Sequence, residues 1–343
     1  MFSYGGPGES LARVSVTKLK RFWLWVLMPL IALFVVSEVV ARYLGLDRPV
    51  LYEKTDYGYR AQPNQQIERV GNRIFYNALG LRSEPVDLTP KPGVLRVLCI
   101  GDSITNGGAP TDQAQTYPYL LEGMLRSRFG LAEVLNASAG GWALENEEGW
   151  LRAFGTFGSR YAVLELGTHD LFQPMAPSSL VDTHPSFPSH SPSLAWQAVL
   201  ARFLIPRVAP QMTVSDPGTG ENAPDAAAAQ DAIRRVLKMA DFMRARGATP
   251  IVLHVEQPAS KEPTDLITSQ AKAALGAALA QQGIDLISAR DALNAPGDTA
   301  LFRDEFHPNP AGNRVLAQLV FERITRLRSA GASNQAGLNR HAD

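Results

Sequence analysis

The pattern of hydrophobic and polar positions separates an apolar N-terminal segment from a longer region in which apolar runs alternate with helical ones. Residues 22–36, FWLWVLMPLIALFVV, carry no charge. Residues 37–41 extend this segment to about 20 residues, enough for a helix to cross the hydrocarbon layer of a membrane. Basic residues predominate in the preceding residues 1–21, which predicts a cytoplasmic N-terminus and places the remainder of the chain across the membrane.

Two other interpretations of this segment stay open. A cleavable signal peptide also has an apolar run after basic residues, but the following SEVVARYLG offers no clear small-residue cleavage site. A buried core helix fits less well, because the run is apolar on all sides and lies at the extreme N-terminus. We therefore expect an uncleaved single-pass anchor at residues 22–41.

From residue 94 onward, short apolar runs alternate with helical segments, which is typical of a doubly wound parallel α/β sheet. The pattern predicts five strands, at residues 94–100, 132–136, 161–166, 250–255 and 284–287. It also predicts five helices, at residues 117–129, 144–157, 226–246, 265–282 and 310–328. Together these elements define a domain over residues 94–328.

Residues 47–93 precede this domain and have a different pattern. Two short extended runs, residues 67–70 and 74–76, flank the turn residues Gly71 and Asn72, and several prolines follow. This arrangement predicts a small extended module and a linker that pack against the domain.

Two further segments interrupt or follow the alternation. Residues 173–224 are rich in proline, serine and glycine, and we expect a long irregular insertion with one helix at residues 193–203. Loops of this length are more often functional or mobile than structural. The polar residues 329–343 predict a flexible tail.

Composition excludes several classes of partner and site. The 343 residues include 33 basic and 33 acidic residues, so no net field attracts nucleic acid, and no basic stripe interleaved with aromatic residues is present. Cys99 is the only cysteine, which excludes an intrachain disulfide and a thiolate metal cluster.

The first strand of the predicted sheet ends in Gly-Asp-Ser, and its serine is a candidate for chemistry because ligands bind at the carboxyl ends of parallel strands. A serine hydroxyl needs an imidazole to accept its proton and a carboxylate to orient that imidazole. Asp304 and His307 have this chemistry, and their spacing allows the carboxylate to reach Nδ1 while Nε2 faces Ser103. The backbone N–H groups of Ser103 and Gly141 are candidate donors to an oxyanion.

Taken together, the blocks GDSIT, NASAGG and Asp-x-x-His resemble those of the SGNH hydrolases, the superfamily of GDSL-like esterases and lipases. The resemblance covers residues 94–328 and implies a flavodoxin-like five-stranded sheet. It implies Ser103 as the nucleophile, His307 as the base and Asp304 as its orienting carboxylate. It further implies that Gly141 contributes to the oxyanion hole and that no cofactor or metal takes part.

One block departs from the family pattern. The family usually carries Gly-x-Asn-Asp after the third strand, whereas this chain has Gly-Thr-His-Asp with His169 at the asparagine position. Histidine can donate an N–H group to an oxyanion, or its presence can signal an altered function. A divalent metal held by Asp102, His169, Asp170, Asp304 and His307 is a less favoured alternative, because no compact ligand motif is present.

These observations predict a serine esterase or acyl hydrolase that works through an acyl-serine intermediate. The resemblance further implies a bacterial inner-membrane protein with a periplasmic catalytic domain, acting on an envelope polysaccharide or a similar ester. Two alternatives stay open: an O-acyltransferase that uses a sugar hydroxyl as acceptor, and a catalytically weak domain that binds glycan or scaffolds an exopolysaccharide system. Fold analogy alone does not choose between them.

Overall fold

The computed structural model describes residues 13–208, 223–258, 260–294 and 301–340. The first described element is helix α1, Arg13–Tyr43, which precedes a small module and a large α/β domain.

Helix α1 is the apolar segment recognised in the sequence. Within the described residues, its part from Arg21 to Tyr43 is the one helix long and apolar enough to cross a membrane. All of its side chains between residues 21 and 36 are exposed, so this part of the helix packs against nothing in the described chain. Length and composition are thus consistent with a membrane anchor or with a signal peptide.

The module after α1 consists of two antiparallel hairpins. Their strands are β1 (Tyr52–Thr55), β2 (Gly58–Ala61), β3 (Gln65–Arg69) and β4 (Asn72–Tyr76). The sequence predicted only the second hairpin and placed its turn at Gly71 and Asn72. The turn instead consists of Val70 and Gly71, both with positive φ, as a two-residue hairpin loop requires. The first hairpin was missed because its four-residue strands show no run of alternating apolar residues.

The α/β domain is built on a five-stranded, all-parallel sheet, which confirms the predicted fold class. Its strands are β5 (Leu95–Gly101), β6 (Ala132–Ser138), β7 (Tyr161–Gly167), β8 (Thr249–Val255) and β9 (Asp285–Ser288). Their spatial order is β6-β5-β7-β8-β9, the flavodoxin-like order of a doubly wound sheet. The chain reverses direction across the sheet between β5 and β7, so the ligand crevice is expected at the carboxyl ends of these two strands.

Helices cover both faces of this sheet. The α-helices described after β4 are α2 (Ser103–Asn106), α3 (Tyr117–Phe129), α4 (Leu144–Phe154), α5 (Ala195–Val199), α6 (Ile205–Val208), α7 (Ala226–Ala245), α8 (Leu266–Gln281), α9 (Arg290–Leu293) and α10 (Pro310–Arg340), of which α5 and α6 lie in the insertion. Side chains of β5 alternate between two cores: Leu98 and Ile100 pack with α4, α7 and α8, whereas Val97 and Cys99 pack with α3 and α10. The central strands β5 and β7 are buried throughout, which explains their continuous apolar runs.

The insertion contains more local structure than the single helix predicted at residues 193–203. Helix α5 continues through a π-helical turn, Leu200–Leu204, into α6. The backbone N–H groups of Ala195 and Trp196 donate to the Glu38 carboxylate of α1, at 2.9 and 3.1 Å. The indole of Trp196 donates to Ser37 at 2.9 Å. The start of α5 is therefore attached to the end of α1.

Two helix ends differ from the predicted ones. Helix α4 stops at Phe154 instead of residue 157, because Gly155 leaves the helix with a φ of +74°. Helix α10 continues past residue 328 to Arg340, although residues 329–343 were expected to form a flexible tail. The added stretch has no proline to end the helix, and residues 341–343 lie outside the described residues.

Candidate active site

The candidate nucleophile lies on a tight turn directly after β5. The Asp102 carboxylate caps the short helix α2 by accepting the backbone N–H of Ile104 at 2.7 Å, and Gly107 ends the helix with a φ of +81°. A side chain at Gly101 would lie 2.4 Å from the Thr105 hydroxyl, so this position requires glycine. The turn presents Ser103 at the carboxyl edge of the sheet.

Ser103, His307 and Asp304 form a continuous chain of hydrogen bonds. Nε2 of His307 lies 2.9 Å from Oγ of Ser103, and Nδ1 lies 2.8 and 2.9 Å from the two carboxylate oxygens of Asp304. The structure thus brings together three residues of which the first and last are 204 positions apart in the sequence. In this arrangement Nδ1–H donates to the carboxylate, and Nε2 is left to accept the serine proton.

The loop that carries His307 is held in place from both sides. Burial opposes ionisation of Asp304, but hydrogen bonds from the His307 ring and from the backbone N–H groups of Phe306 and His307 outweigh it and hold its pKa well below the usual range. Arg303 donates to the carbonyl of Gly107 and to the hydroxyl of Thr111, at 3.0 and 2.7 Å. This arginine therefore ties the histidine loop to the nucleophile loop.

The backbone of Gly141 lines the same cleft as Ser103. Its φ is +75°, and the carbonyls of Gly140 and Gly141 accept hydrogen bonds from the Tyr59 hydroxyl and the Gln173 amide, at 2.7 and 3.0 Å. Among the described residues, no acceptor binds the backbone N–H of Ser103 or of Gly141. Both N–H groups are consequently available to a ligand in the cleft.

His169, the residue at the family's asparagine position, lines the cleft but is already engaged. Its Nε2 lies 3.2 Å from Asp102 and 3.6 Å from Asp170. Burial disfavours its charged form, but the carboxylates of Asp170 and Asp102 outweigh burial and raise the pKa of His169 to about 9. The ring is therefore a cation at neutral pH, paired with the carboxylate that caps the nucleophile helix.

The candidate metal ligands fall into two groups. Ligand atoms of Asp102, His169 and Asp170 lie within 4.8 Å of one another, whereas Asp304 binds His307, which in turn binds Ser103. In the first group, one oxygen of Asp102 accepts from Ile104 and one oxygen of Asp170 accepts from the backbone N–H of Gly167. The five residues therefore do not form a single ligand shell.

Arg82, in the N-terminal module, supports the nucleophile loop and was missed in the sequence. Its fully buried guanidinium donates to the carbonyls of Asn106, Gly108 and Thr111 at 2.6 to 2.8 Å, and to the Gln113 amide oxygen at 3.2 Å. A lone arginine in a loop gives no signal of such a role, since the carbonyls that it binds belong to residues 24 to 29 positions away.

A cleft of about 250 Å³ opens above Ser103 and has two walls. The sheet wall consists of residues from the strand ends and the histidine loop: Ser103, Gly141, His169, Asp304 and His307. The module wall consists of residues from the N-terminal module and the insertion: Val50, Tyr52, Arg69, Phe187 and Arg202. No sequence motif identified the members of the module wall.

The other histidines lie elsewhere. His254, predicted to be a core residue, is buried and contacts the Thr168 hydroxyl at 3.2 Å, and burial lowers its pKa to about 4. His184 is buried in the insertion next to Phe187, and His190 is exposed.

A doubly wound sheet that carries a serine, a histidine and an aspartate in hydrogen-bonded sequence at its strand ends has the architecture of a serine ester hydrolase. The family model of the GDSL-like lipases and acylhydrolases matches residues 99–315. The chain therefore belongs to this family of ester hydrolases.

Similar solved structures include TesA, which is 19% identical and has a TM-score of 0.45 over 68% of this chain and 99% of its own. A mutant of an acetylxylan esterase from Geobacillus stearothermophilus is 14% identical, with a TM-score of 0.44 over 67% and 93%. A GDSL-like lipase from Bacteroides thetaiotaomicron is 12% identical, with a TM-score of 0.43 over 71% and 93%. No curated protein matches the chain.

Proposed function

We propose that Ser103 is the nucleophile of this ester hydrolase, with His307 as general base and Asp304 as the carboxylate that orients it. The observation that carries the proposal is the hydrogen-bond chain from the serine Oγ through both ring nitrogens to the carboxylate. A serine with no base within reach would remain a weak nucleophile at neutral pH.

The reaction follows from this geometry. Oγ of Ser103 attacks the ester carbonyl carbon while its proton passes to Nε2 of His307. The resulting oxyanion accepts hydrogen bonds from the backbone N–H groups of Ser103 and Gly141, and His169 faces the same space. Collapse breaks the bond to the alkoxy oxygen, which takes the proton from Nε2. Water then attacks the acyl-serine and gives a proton to His307. The bond between the acyl carbon and Oγ breaks, His307 returns the proton to Oγ, and the carboxylic acid and the free serine are released.

We further propose that α1 is retained as a membrane anchor and is not removed as a signal peptide. Residues at its C-terminal end are part of the folded domain, because Ser37 and Glu38 accept hydrogen bonds from Trp196 and its neighbour. The basic residues before the span favour a cytoplasmic N-terminus, which would place the cleft on the far side of a bacterial inner membrane, in the periplasm.

The substrate class that we propose is an O-acylated envelope polysaccharide. An anchored enzyme would meet substrates close to the membrane, and the cleft offers both aromatic surface and polar groups, as a sugar ester requires. The module wall favours one second candidate, transfer of the acyl group to a sugar hydroxyl, because a walled cleft can hold an acceptor and limit the access of water.

The first experiment labels the full chain in detergent micelles with a fluorophosphonate probe and measures the mass of the labelled peptide. We expect one adduct, at Ser103, in the parent protein and in Ser127→Ala, a control in which an exposed helical serine is lost. Ser103→Ala should not be labelled. Absence of labelling in the parent, or labelling that persists in Ser103→Ala, would contradict the proposal.

A further inference from the structure

The module wall contains two arginines with no partner in the described protein. Arg69, at the end of β3, is only 7% exposed, and Arg202, in the π-helical turn of the insertion, is exposed; both line the cleft that holds Ser103. Within the residues that the structure describes, neither guanidinium makes a hydrogen bond or an ion pair. A buried, unpaired guanidinium is costly unless an anion compensates it.

Two of the carboxylates that line the cleft are already engaged. Asp304 binds His307, and Asp102 binds His169 and the α2 backbone. Asp47 attracts Arg69 through space without forming an ion pair with it; one of its oxygens pairs with Arg42 at 3.3 Å, and the other is buried without a hydrogen-bond partner. Burial and the positive charge of Arg202 lower the pKa of Arg69, and the negative charge of Asp47 opposes them.

An anion bound in the cleft beside both arginines would compensate the burial of Arg69 and reduce the repulsion between the two positive charges. Guanidinium groups bind carboxylates and phosphates through paired, charge-assisted hydrogen bonds. The remaining surface of the module wall is aromatic: the rings of Tyr52 and Phe187 pack edge to face, with centroids 5.1 Å apart. A cleft of about 250 Å³ can hold a sugar unit and a short acyl group.

We propose that Arg69 and Arg202 form an anion subsite that binds the carboxylate of an acidic sugar, so that the preferred substrates are O-acylated glycans containing uronic acids. The proposal rests on the proposed ester hydrolase function, because the sugar carboxylate that it identifies would belong to the same substrate as the ester that reacts with Ser103. Under this proposal, the module wall determines which substrates bind and the sheet wall carries the residues that react.

The test measures binding by isothermal titration calorimetry, with the full chain in detergent micelles and Ser103→Ala to prevent turnover. The probes are trimers of galacturonate, glucuronate and mannuronate, and the neutral trimers obtained by reducing their carboxyl groups. We expect at least one uronate trimer to bind about 10- to 100-fold more tightly than its neutral counterpart, as loss of a charged hydrogen bond implies.

In the same background, Arg202→Gln and Arg69→Gln should each remove most of this preference. Arg73→Gln is the matched control, because it removes one positive charge from the same hairpin at a side chain that is 73% exposed and outside the cleft. Arg202 is exposed, so its variant should fold even if the substitution at buried Arg69 disturbs the module.

Equal binding of every uronate and its neutral counterpart would overturn the proposal, as would a preference that survives in Arg202→Gln. Tighter binding of lysophosphatidylglycerol than of any uronate would also overturn it, in favour of a lipid phosphate. Fluorophosphonate labelling distinguishes failure of the subsite from failure of the proposed function. If Ser103 is labelled but uronates bind no more tightly than neutral trimers, only the anion subsite is refuted. If uronates bind more tightly but Ser103 is not labelled, the subsite is supported and the proposed nucleophile is refuted.

Discussion

The two walls of the cleft differ in how the chain builds them. The sheet wall consists of residues placed by strand ends and short motifs, and its geometry follows from the topology of a parallel sheet. The module wall combines residues from both hairpins that precede the sheet with residues from two parts of the insertion, and none of these segments has a motif. The residues proposed for catalysis can thus be found from short sequence motifs. The residues proposed for substrate recognition come together only through contacts between segments that are far apart in the sequence.

The largest expected effect tests whether the sheet wall alone performs the chemistry. Ser103→Ala and His307→Ala should each lower kcat for 4-nitrophenyl acetate by about 10⁴-fold or more, and Asp304→Asn by about 10⁴-fold. Steady-state kinetics of the full chain in detergent would check this, with Ser127→Ala as the control that keeps full activity. A loss of less than 10-fold in Ser103→Ala would remove the serine from the mechanism.

Arg82 is an exception to the division between the two walls, because it belongs to the N-terminal module but supports the nucleophile loop of the sheet wall. Arg82→Met would leave three buried carbonyls without a donor, and we expect the free energy of unfolding to fall by about 3 kcal/mol or more. Chemical denaturation followed by tryptophan fluorescence measures this change. Arg73→Met, which loses only an exposed ion pair, should change stability by less than about 0.5 kcal/mol. Equal effects of both substitutions would refute this role.

The smallest expected effect concerns His169 and measures how much this residue of the sheet wall contributes to the free energy of unfolding. Because its pKa is raised from 6.5 to about 9, the stabilisation from its charged pair is complete below about pH 6.5 and is lost as pH rises through 9. Asp170, with a pKa raised to about 7 by burial, titrates in the lower part of the same pH range and adds a smaller loss in the same direction.

We therefore expect the parent protein to lose up to about 3 kcal/mol of stability between pH 6.5 and 9.5. His169→Asn should lack this slope. Thermal unfolding at several pH values checks both statements, and parallel pH profiles for the two proteins would contradict them.

The sequence was sufficient to predict the five strands, their parallel arrangement and the meeting of Ser103 with His307. Those predictions succeed because buried strands have continuous apolar runs and because strand ends converge on one edge of a sheet. Arg69, Arg82 and Arg202 could not be predicted, since each acts through groups distant in the sequence. The sequence shows that His169 replaces the family's asparagine. It does not show that His169 pairs with Asp102, because that contact depends on how the two buried loops pack together.

The attachment of α5 to α1 sets a boundary for any shortened version of this protein. A fragment that begins at residue 47 would remove Ser37 and Glu38 and leave the backbone N–H groups of Ala195 and Trp196 without their acceptors. The π-helical turn that carries Arg202 follows directly from that helix. A minimal soluble form should therefore keep residues 37–46 and replace only the exposed apolar stretch before them.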